Sequence, residues 1–256
     1  MNDIKKAGYD FEPGGEHAPD KTLSSRIQGR REAAGMRSSR DDMLPGTTWK
    51  GVRPGVEEIK SGADLTGADL SEMDLSGVDL SNCDLSHADL SGTNLSGASL
   101  SKSNLVGVYA SRAKLDDADL ESSILDYGDF INTSLVGANL SNTRAYNTHF
   151  ENADLSKANL NRSNLKSATF WTTNMSGADI SEANGNYLTT FLGSNLSDAD
   201  LSGGQFYGSN FVNANFTNAN LFNANLRQAN LKNASFRNAD LNEANLTDAV
   251  LDGAIL

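Results

Sequence analysis

From Ser61 to the last residue the sequence repeats in fives. An apolar anchor returns at Leu65, Leu70, Leu75, Leu80 and every fifth position to Ile180, then resumes one residue out of phase at Phe191 and runs to Leu256. Two residues before each anchor sits a small side chain, such as Ala63, Ala68, Ala88 and the unbroken set from Ala214 to Ala254. A period of five fits neither the 3.6 of an amphipathic helix nor the 2.0 of an alternating strand. The anchor (position i) and the small residue at i−2 point to one side of a short extended segment. Positions i−1, i+1 and i+2 are mostly Asp, Asn, Ser, Thr, Gly, Lys or Arg and face water. Such a segment followed by a turn, repeated, winds into a coil. No coil buries its own anchors, so coils must stack into a one-dimensional core.

The A-[D/N]-L-x-x pattern resembles the pentapeptide-repeat family over about three quarters of the chain. The resemblance implies an all-β architecture: a right-handed quadrilateral β-helix (solenoid), four repeats per coil, with i and i−2 inside. Phe130, Phe150 and Phe170 are anchors 20 apart; Phe191 follows at 21 and Phe211 at 20. Four repeats per coil would stack these five rings in one column. It would also place one extra residue within 185–190, bulged out of the coil. About ten coils at ~4.8 Å would make a rod on the order of 50 Å long.

Ahead of the coil (61–256) the spacing predicts an extended or partly helical basic arm over 1–48 and a short helical N-terminal cap over 49–60. On a helix Arg26, Arg30, Arg37 and Arg40 would fall within about an 80° arc at 100° per residue, a stripe suited to docking on an acidic surface. Gly29 and Gly35 weaken that helix. In the cap, Trp49, Val52, Val56 and Ile59 have helical spacing, and Pro54 suits a first turn. They are expected to cover the open end of the first coil.

The net charge of −12 is unevenly spread. Asp64, Asp69, Glu72, Asp74, Asp79, Asp84 and Asp89 make an acidic end without a single Lys or Arg between 61 and 90, whereas 131–190 sums to zero. Asparagines 20 apart, 210/230, 213/233, 218/238 and 225/245, are expected to form amide ladders. At i+1, where serine is usual, Ile131, Trp171, Leu192 and Val212 align beside the Phe column, with Glu151 interrupting. An aligned apolar stripe marks a candidate interface. Val250 and Ile255, apolar at i−1 in the last coil, add a candidate edge for self-association. The resemblance points the same way, since family members dimerise through C-terminal coils.

No chemistry is legible. His17, His87 and His149 are far apart, and the last two fall on exposed turn positions. The carboxylates are regular rather than convergent, and no phosphate loop, HExxH or GxSxG occurs. Cys83, the single cysteine, sits at i−2 as a small buried residue. The chain is therefore read as non-enzymatic, without metal or cofactor. The absence of an apolar leader or an 18-residue apolar run gives a cytoplasmic or particle-bound expectation, with no membrane span. Two function classes remain. One is a structural scaffold, a rod docked by its arm and lateral stripe to protein partners in a larger assembly such as a virion or other multi-subunit particle, with a homo-oligomer through the last coil or the stripe as a variant. The other, implied by the resemblance, is an acidic DNA mimic that binds a type II topoisomerase such as DNA gyrase. Direct nucleic-acid contact is left to the arm, because the rod repels phosphates.

Overall fold

The computed structural model describes residues 51–256. The arm arginines Arg26, Arg30, Arg37 and Arg40, and Trp49 of the cap, lie outside the described residues.

Each five-residue repeat closes a tight turn. The N–H of the next i−2 residue returns to the anchor carbonyl, as from Ala68 to Leu65 at 3.0 Å. The i+2 residue has positive φ in nearly every turn, for example 59° at Asn82 and 74° at Gly62, whereas i+1 does not. That is the type II pattern, which favours Gly and Asn at its third position and explains their frequency there. The turn bends the chain by about a quarter circle, so four repeats return it to its start. Parallel bridges then pair residues 20 apart, from Asp64↔Asp84 onward, and the coil is a right-handed quadrilateral β-helix. Between coils the anchor N–H donates to the carbonyl at i−1 above, as from Leu65 to Asp84 at 2.7 Å, and the i−1 N–H donates downward, as from Asp84 to Ala63 at 3.0 Å.

The four walls are named by their anchors. Face 1 runs from Leu65 to Leu246, face 2 from Leu70 to Leu251, face 3 from Leu75 to Leu256 and face 4 from Leu80 to Leu241. Faces 1 and 3 oppose each other, as do 2 and 4. The bridges step by 21 only at Thr169↔Thr190, Asn174↔Asn195, Asp179↔Asp200 and Asn184↔Gln205. Gly185 keeps its place as a face 1 anchor, and the turn that follows it holds Asn186, Tyr187 and Leu188 instead of two residues. Tyr187 and Leu188 both have positive φ, 55° and 50°, and Leu188 is 77% exposed. The coil above and below continues in register.

Anchors and i−2 residues form one continuous core. On face 2 the rings of Phe130, Phe150, Phe170, Phe191 and Phe211 are fully buried and lie 4.6–5.3 Å apart in stacked pairs. A second stack, Phe216 on Phe236 at 4.8 Å, stands on face 3. Phe206 crosses from face 1 and meets Phe191 and Phe211 edge-on. Its ring leaves no room beside it: a Cβ on Gly185 would lie 2.8 Å from Phe206 Cδ1, and one on Gly204 closer still. Most Thr and Ser at i−2 donate their hydroxyls to an anchor carbonyl one coil below, as Thr93 does to Leu70 at 2.8 Å and Thr173 to Phe150 at 2.7 Å, whereas Thr143 and Ser163 use the anchor of their own coil and the Ser123 hydroxyl has no partner. Cys83 is buried the same way, its Sγ donating to the Lys60 carbonyl, and burial pushes its thiol pKa up.

The cap differs from the helix expected over 49–60. Among its described residues the only helical piece is a single 3-10 turn, Val56–Glu58. Val56 is 78% exposed, while Ile59 is buried in the core and Val52 is half-buried. The reason lies in the backbone. Gly51 and Val52 lie along the open edge of face 2, with Gly51 N–H donating to the Gly67 carbonyl and Asp69 N–H donating to the Val52 carbonyl. Arg53 Nη2 closes the edge on the Ser71 carbonyl at 2.6 Å. Covering the open strand edge takes precedence here over building an amphipathic helix.

Asp and Asn at i−1 also hold the turn locally. The side-chain oxygen accepts the N–H two residues on, as in Asp79 to Ser81 at 2.9 Å. The Ser76 hydroxyl and N–H hold Asp74, and the Ser81 hydroxyl and N–H hold Asp79, below the usual carboxylate range. At Asp84 burial pushes upward, but the bonds from Ser86, Asn104 and Thr66 together outweigh it, and its carboxyl also lies low.

Two outcomes follow from these contacts. Phe150→Ala should cost about 3–5 kcal/mol, measured by chemical denaturation; a loss under ~1 kcal/mol would contradict the packing of the column. The lowered aspartates bind fewer protons folded than unfolded. Their stabilisation is complete above the unfolded value of about 3.9 and is lost as pH falls through the lower folded values. The urea midpoint should therefore drop on acidification below about pH 4, and Asp74→Asn with Asp79→Asn should flatten that drop.

Candidate interaction surfaces

Stacking at a 20-residue offset turns isolated side chains into columns. Many carboxylates in these columns lie under an amide that donates to them: Asn94 to Asp74 at 2.9 Å, Asn104 to Asp84 at 3.1 Å, Asn139 to Asp119 at 3.0 Å and Asn220 to Asp200 at 3.1 Å. At the acidic end, Asp64 is bridged to Asp84 and Asp69 to Asp89, so one acidic residue follows another in the column. Glu72 occupies a corner of the same coils. Of the asparagine pairs expected to form ladders, Asn233 donates to Asn213 and Asn238 to Asn218, each at 3.2 Å, while 210/230 and 225/245 pair through backbone bridges.

The folded rod redistributes charge in a way the linear order hides. Face 4 with its corner holds Asp79, Asp119, Glu121, Asp179, Glu182, Asp200, Asp240 and Glu243 against only Lys102 and Arg162. Arg162 grips Glu182 one coil above with both Nε and Nη2, at 2.8 and 3.2 Å, which holds that carboxyl below its usual range. Acidity thus runs the length of one wall as well as marking the first coils.

Face 2, opposite, is bordered by aromatic and apolar corners. On the face 1 side stand Tyr127, Tyr146, Tyr187 and Tyr207, all at least partly exposed, with the protruding Leu188. They pair edge-on, Tyr127 with Tyr146 at 5.6 Å and Tyr187 with Tyr207 at 5.1 Å. The Arg227 guanidinium lies 5.9 Å from the Tyr207 ring centre. Tyr146 and Tyr207 are visible in the sequence as apolar-bodied i+1 residues; Tyr127 and Tyr187 escape a scan of i+1 because they occupy i+2 of the same corner. On the face 3 side the expected stripe is shorter than anticipated. Trp171 is 44% exposed and Leu192 and Val212 are half-exposed, but Ile131 is only 4% exposed. Ile131, whose carbonyl accepts the Arg112 N–H, lies one coil below the equally buried Glu151. Val250 and Ile255, on the last coil, are 44% and 46% exposed.

Glu151 has a role that its position in the stripe does not suggest. At three turns where i−1 is neither Asp nor Asn, the turn N–H takes its acceptor from i+1 of the coil below. Asp116 serves Val136 at 3.1 Å, Asp126 serves Tyr146 at 3.0 Å while also taking Arg144 Nε at 2.7 Å, and Asn186 serves Tyr207 at 2.8 Å. Glu151 occupies the same place beneath Thr169, Phe170 and Trp171. Its Oε1 accepts the Thr169 hydroxyl at 2.6 Å and lies 3.2 Å from His149 Nδ1. Its Oε2 is buried with no hydrogen-bond partner. His149, expected on an exposed turn, is half-buried beside it.

Among the described residues no helix is long and apolar enough to cross a membrane, and no group of three or more His, Cys, Asp or Glu is placed to hold a metal ion. No curated protein matches the chain. Among solved structures, HetL, a pentapeptide repeat protein involved in heterocyst differentiation regulation from the cyanobacterium Nostoc sp. strain PCC 7120, is 29% identical over 90% of this chain and 93% of its own, with a TM-score of 0.50. A trypsin-treated form of QnrB1, a plasmid-mediated fluoroquinolone resistance protein, is 29% identical over 71% of this chain and 87% of its own, with a TM-score of 0.45. Rfr23 from the cyanobacterium Cyanothece 51142 is 26% identical over 48% and 86%, with a TM-score of 0.21. The model of pentapeptide repeats matches in eight copies, six overlapping across 61–181 and two end to end across 189–256. With coil, turn and core in agreement with that match, the chain belongs to the pentapeptide-repeat family.

Proposed function

We propose that this protein is a non-enzymatic interaction protein whose coil presents face 2 to a protein partner. The observation that carries this reading is the bordering of a single wall by exposed rings: Tyr127, Tyr146, Tyr187 and Tyr207 on one corner, Trp171 with Leu192 on the other. Aromatic side chains supply large contact area at low entropic cost, and interfaces are enriched in them. The regular coil holds their spacing fixed before binding, so little ordering is required of the rod. Nothing among the relatives supports a virion as the setting, and that part of the expectation is dropped.

A second reading, mimicry of DNA toward a type II topoisomerase, is favoured by the carboxylate wall of face 4. Its rows of Asp and Glu present repeated negative charge along a stiff edge, as a phosphate backbone does. The two readings use opposite walls, which makes them separable. Self-association through the stripe or through Val250 and Ile255 belongs to the first reading, with a second copy as the partner.

Capture of partners from the native source with Trp171→Asp plus Leu192→Asp, compared with Asp179→Asn plus Asp200→Asn, separates them. The face 2 pair should abolish capture and leave the circular dichroism spectrum intact, while the face 4 pair should not. Loss of a topoisomerase with the face 4 pair alone would reverse the ranking, and unchanged capture with the face 2 pair would remove the first reading.

A further inference from the structure

The buried, half-used carboxylate of Glu151 asks for a donor that the described residues do not supply. Glu151 is 6% exposed, and the chain engages only one of its oxygens, with Thr169 and beside His149. The fold does not impose this: Asp126, at the equivalent place, has both oxygens engaged. A buried carboxylate oxygen without a donor costs its full desolvation unless something reaches it. Directly one coil above stands Trp171, at the same i+1 position, with Asn152 N–H bonded to the Trp171 carbonyl at 3.0 Å. The indole is the largest exposed side chain of that corner. An aromatic face beside a carboxylate is the combination that receives a guanidinium or ammonium group, through charge-assisted hydrogen bonds and cation–π attraction. The opposite corner already shows the chemistry, with the Arg227 guanidinium over the Tyr207 ring.

Resting on the reading of face 2 as a protein-binding wall, we propose that Glu151 and Trp171 form a receptor for an arginine or lysine side chain on an extended basic segment of the partner. The segment lies along the rod between the two bordering corners. Its backbone runs with the coil stack, and its cationic side chain turns in beside Trp171 to reach Glu151 Oε2. Charge favours this occupant. Between 61 and 230, face 2 and its two corners place Asp69, Glu72, Asp89, Asp126, Asp129 and Glu151 against Arg112, Lys166 and Arg227, so the wall is net acidic. An acidic or phosphate-bearing partner is disfavoured on the same wall.

The chain has two tryptophans, so Trp49→Phe leaves Trp171 as the sole reporter. Blocked tetra-arginine peptide, titrated into this full-length background at physiological salt, should change Trp171 fluorescence saturably. The citrulline counterpart, neutral but of the same shape, should not. Glu151→Gln, which keeps the Thr169 bond, should weaken arginine-peptide binding at least tenfold. Asp200→Asn, on the opposite wall, should change it less than twofold. Trp171→Ala, followed by calorimetry, should also weaken it at least tenfold and guards against misfolding of the Glu151 variant. The proposal is overturned if citrulline peptide binds equally well, if either face 2 variant leaves affinity unchanged, or if Asp200→Asn weakens binding as much as Glu151→Gln, which would mean diffuse attraction to an acidic rod. If the native partner is lost with Trp171→Asp plus Leu192→Asp yet held fully by Glu151→Gln, the cation receptor fails while face 2 stands as the docking wall.

Discussion

Every wall of this protein depends on one hydrogen-bonding rule: a residue pairs with its counterpart 20 positions on, in parallel register. That rule fixes the distance between like side chains at about 4.8 Å. It therefore decides what each column must solve. Apolar anchors solve it by stacking, most fully in the Phe rows on faces 2 and 3. Carboxylates cannot stack without repulsion, and the sequence places amides over many of them. Where it does not, with Asp84 above Asp64 and Asp89 above Asp69, each carboxylate accepts the N–H of its own turn.

The same rule explains how the chain tolerates departures from its own motif. At three turns the N–H that loses its i−1 acceptor is served from the coil below, by Asp116, Asp126 or Asn186. An apparently stray acidic residue at i+1 is then part of the backbone's hydrogen bonding. Glu151 stands apart because it is a methylene longer and takes the Thr169 hydroxyl in place of a turn N–H. Faces 2 and 4 thus differ in kind. Face 4 is charged by repetition, whereas face 2 is marked by exceptions: tyrosines, a tryptophan, a half-used carboxylate.

The fold was legible in the sequence because a period of five with inward i and i−2 positions is a strong geometric statement. The Phe column and the location of the phase slip could be read from residue numbers alone. What could not be read was anything set by neighbours one coil away. Ile131 looks exposed by its position and is buried by its stack. His149 looks like a turn residue and is enclosed by Glu151 and Thr169. Val56 has the spacing of a capping helix, but the backbone bonds of Gly51 and Val52 to the first coil claim that end. Charge counted along the chain located an acidic end and missed the acidic wall, because residues of one wall are scattered through the sequence at intervals of 20.

The extra residue after Gly185 carries a consequence for how such a rod can be altered. The bulge at Tyr187 and Leu188 absorbs one residue without changing the pitch, so the coil as a physical unit is 20 residues long on either side and 21 across it. A coil removed, duplicated or transplanted elsewhere keeps every column intact only in multiples of 20. A cut that spans the bulge must take 21, or every later anchor would turn outward. The molecule is thus modular in its walls but carries one fixed seam in its numbering.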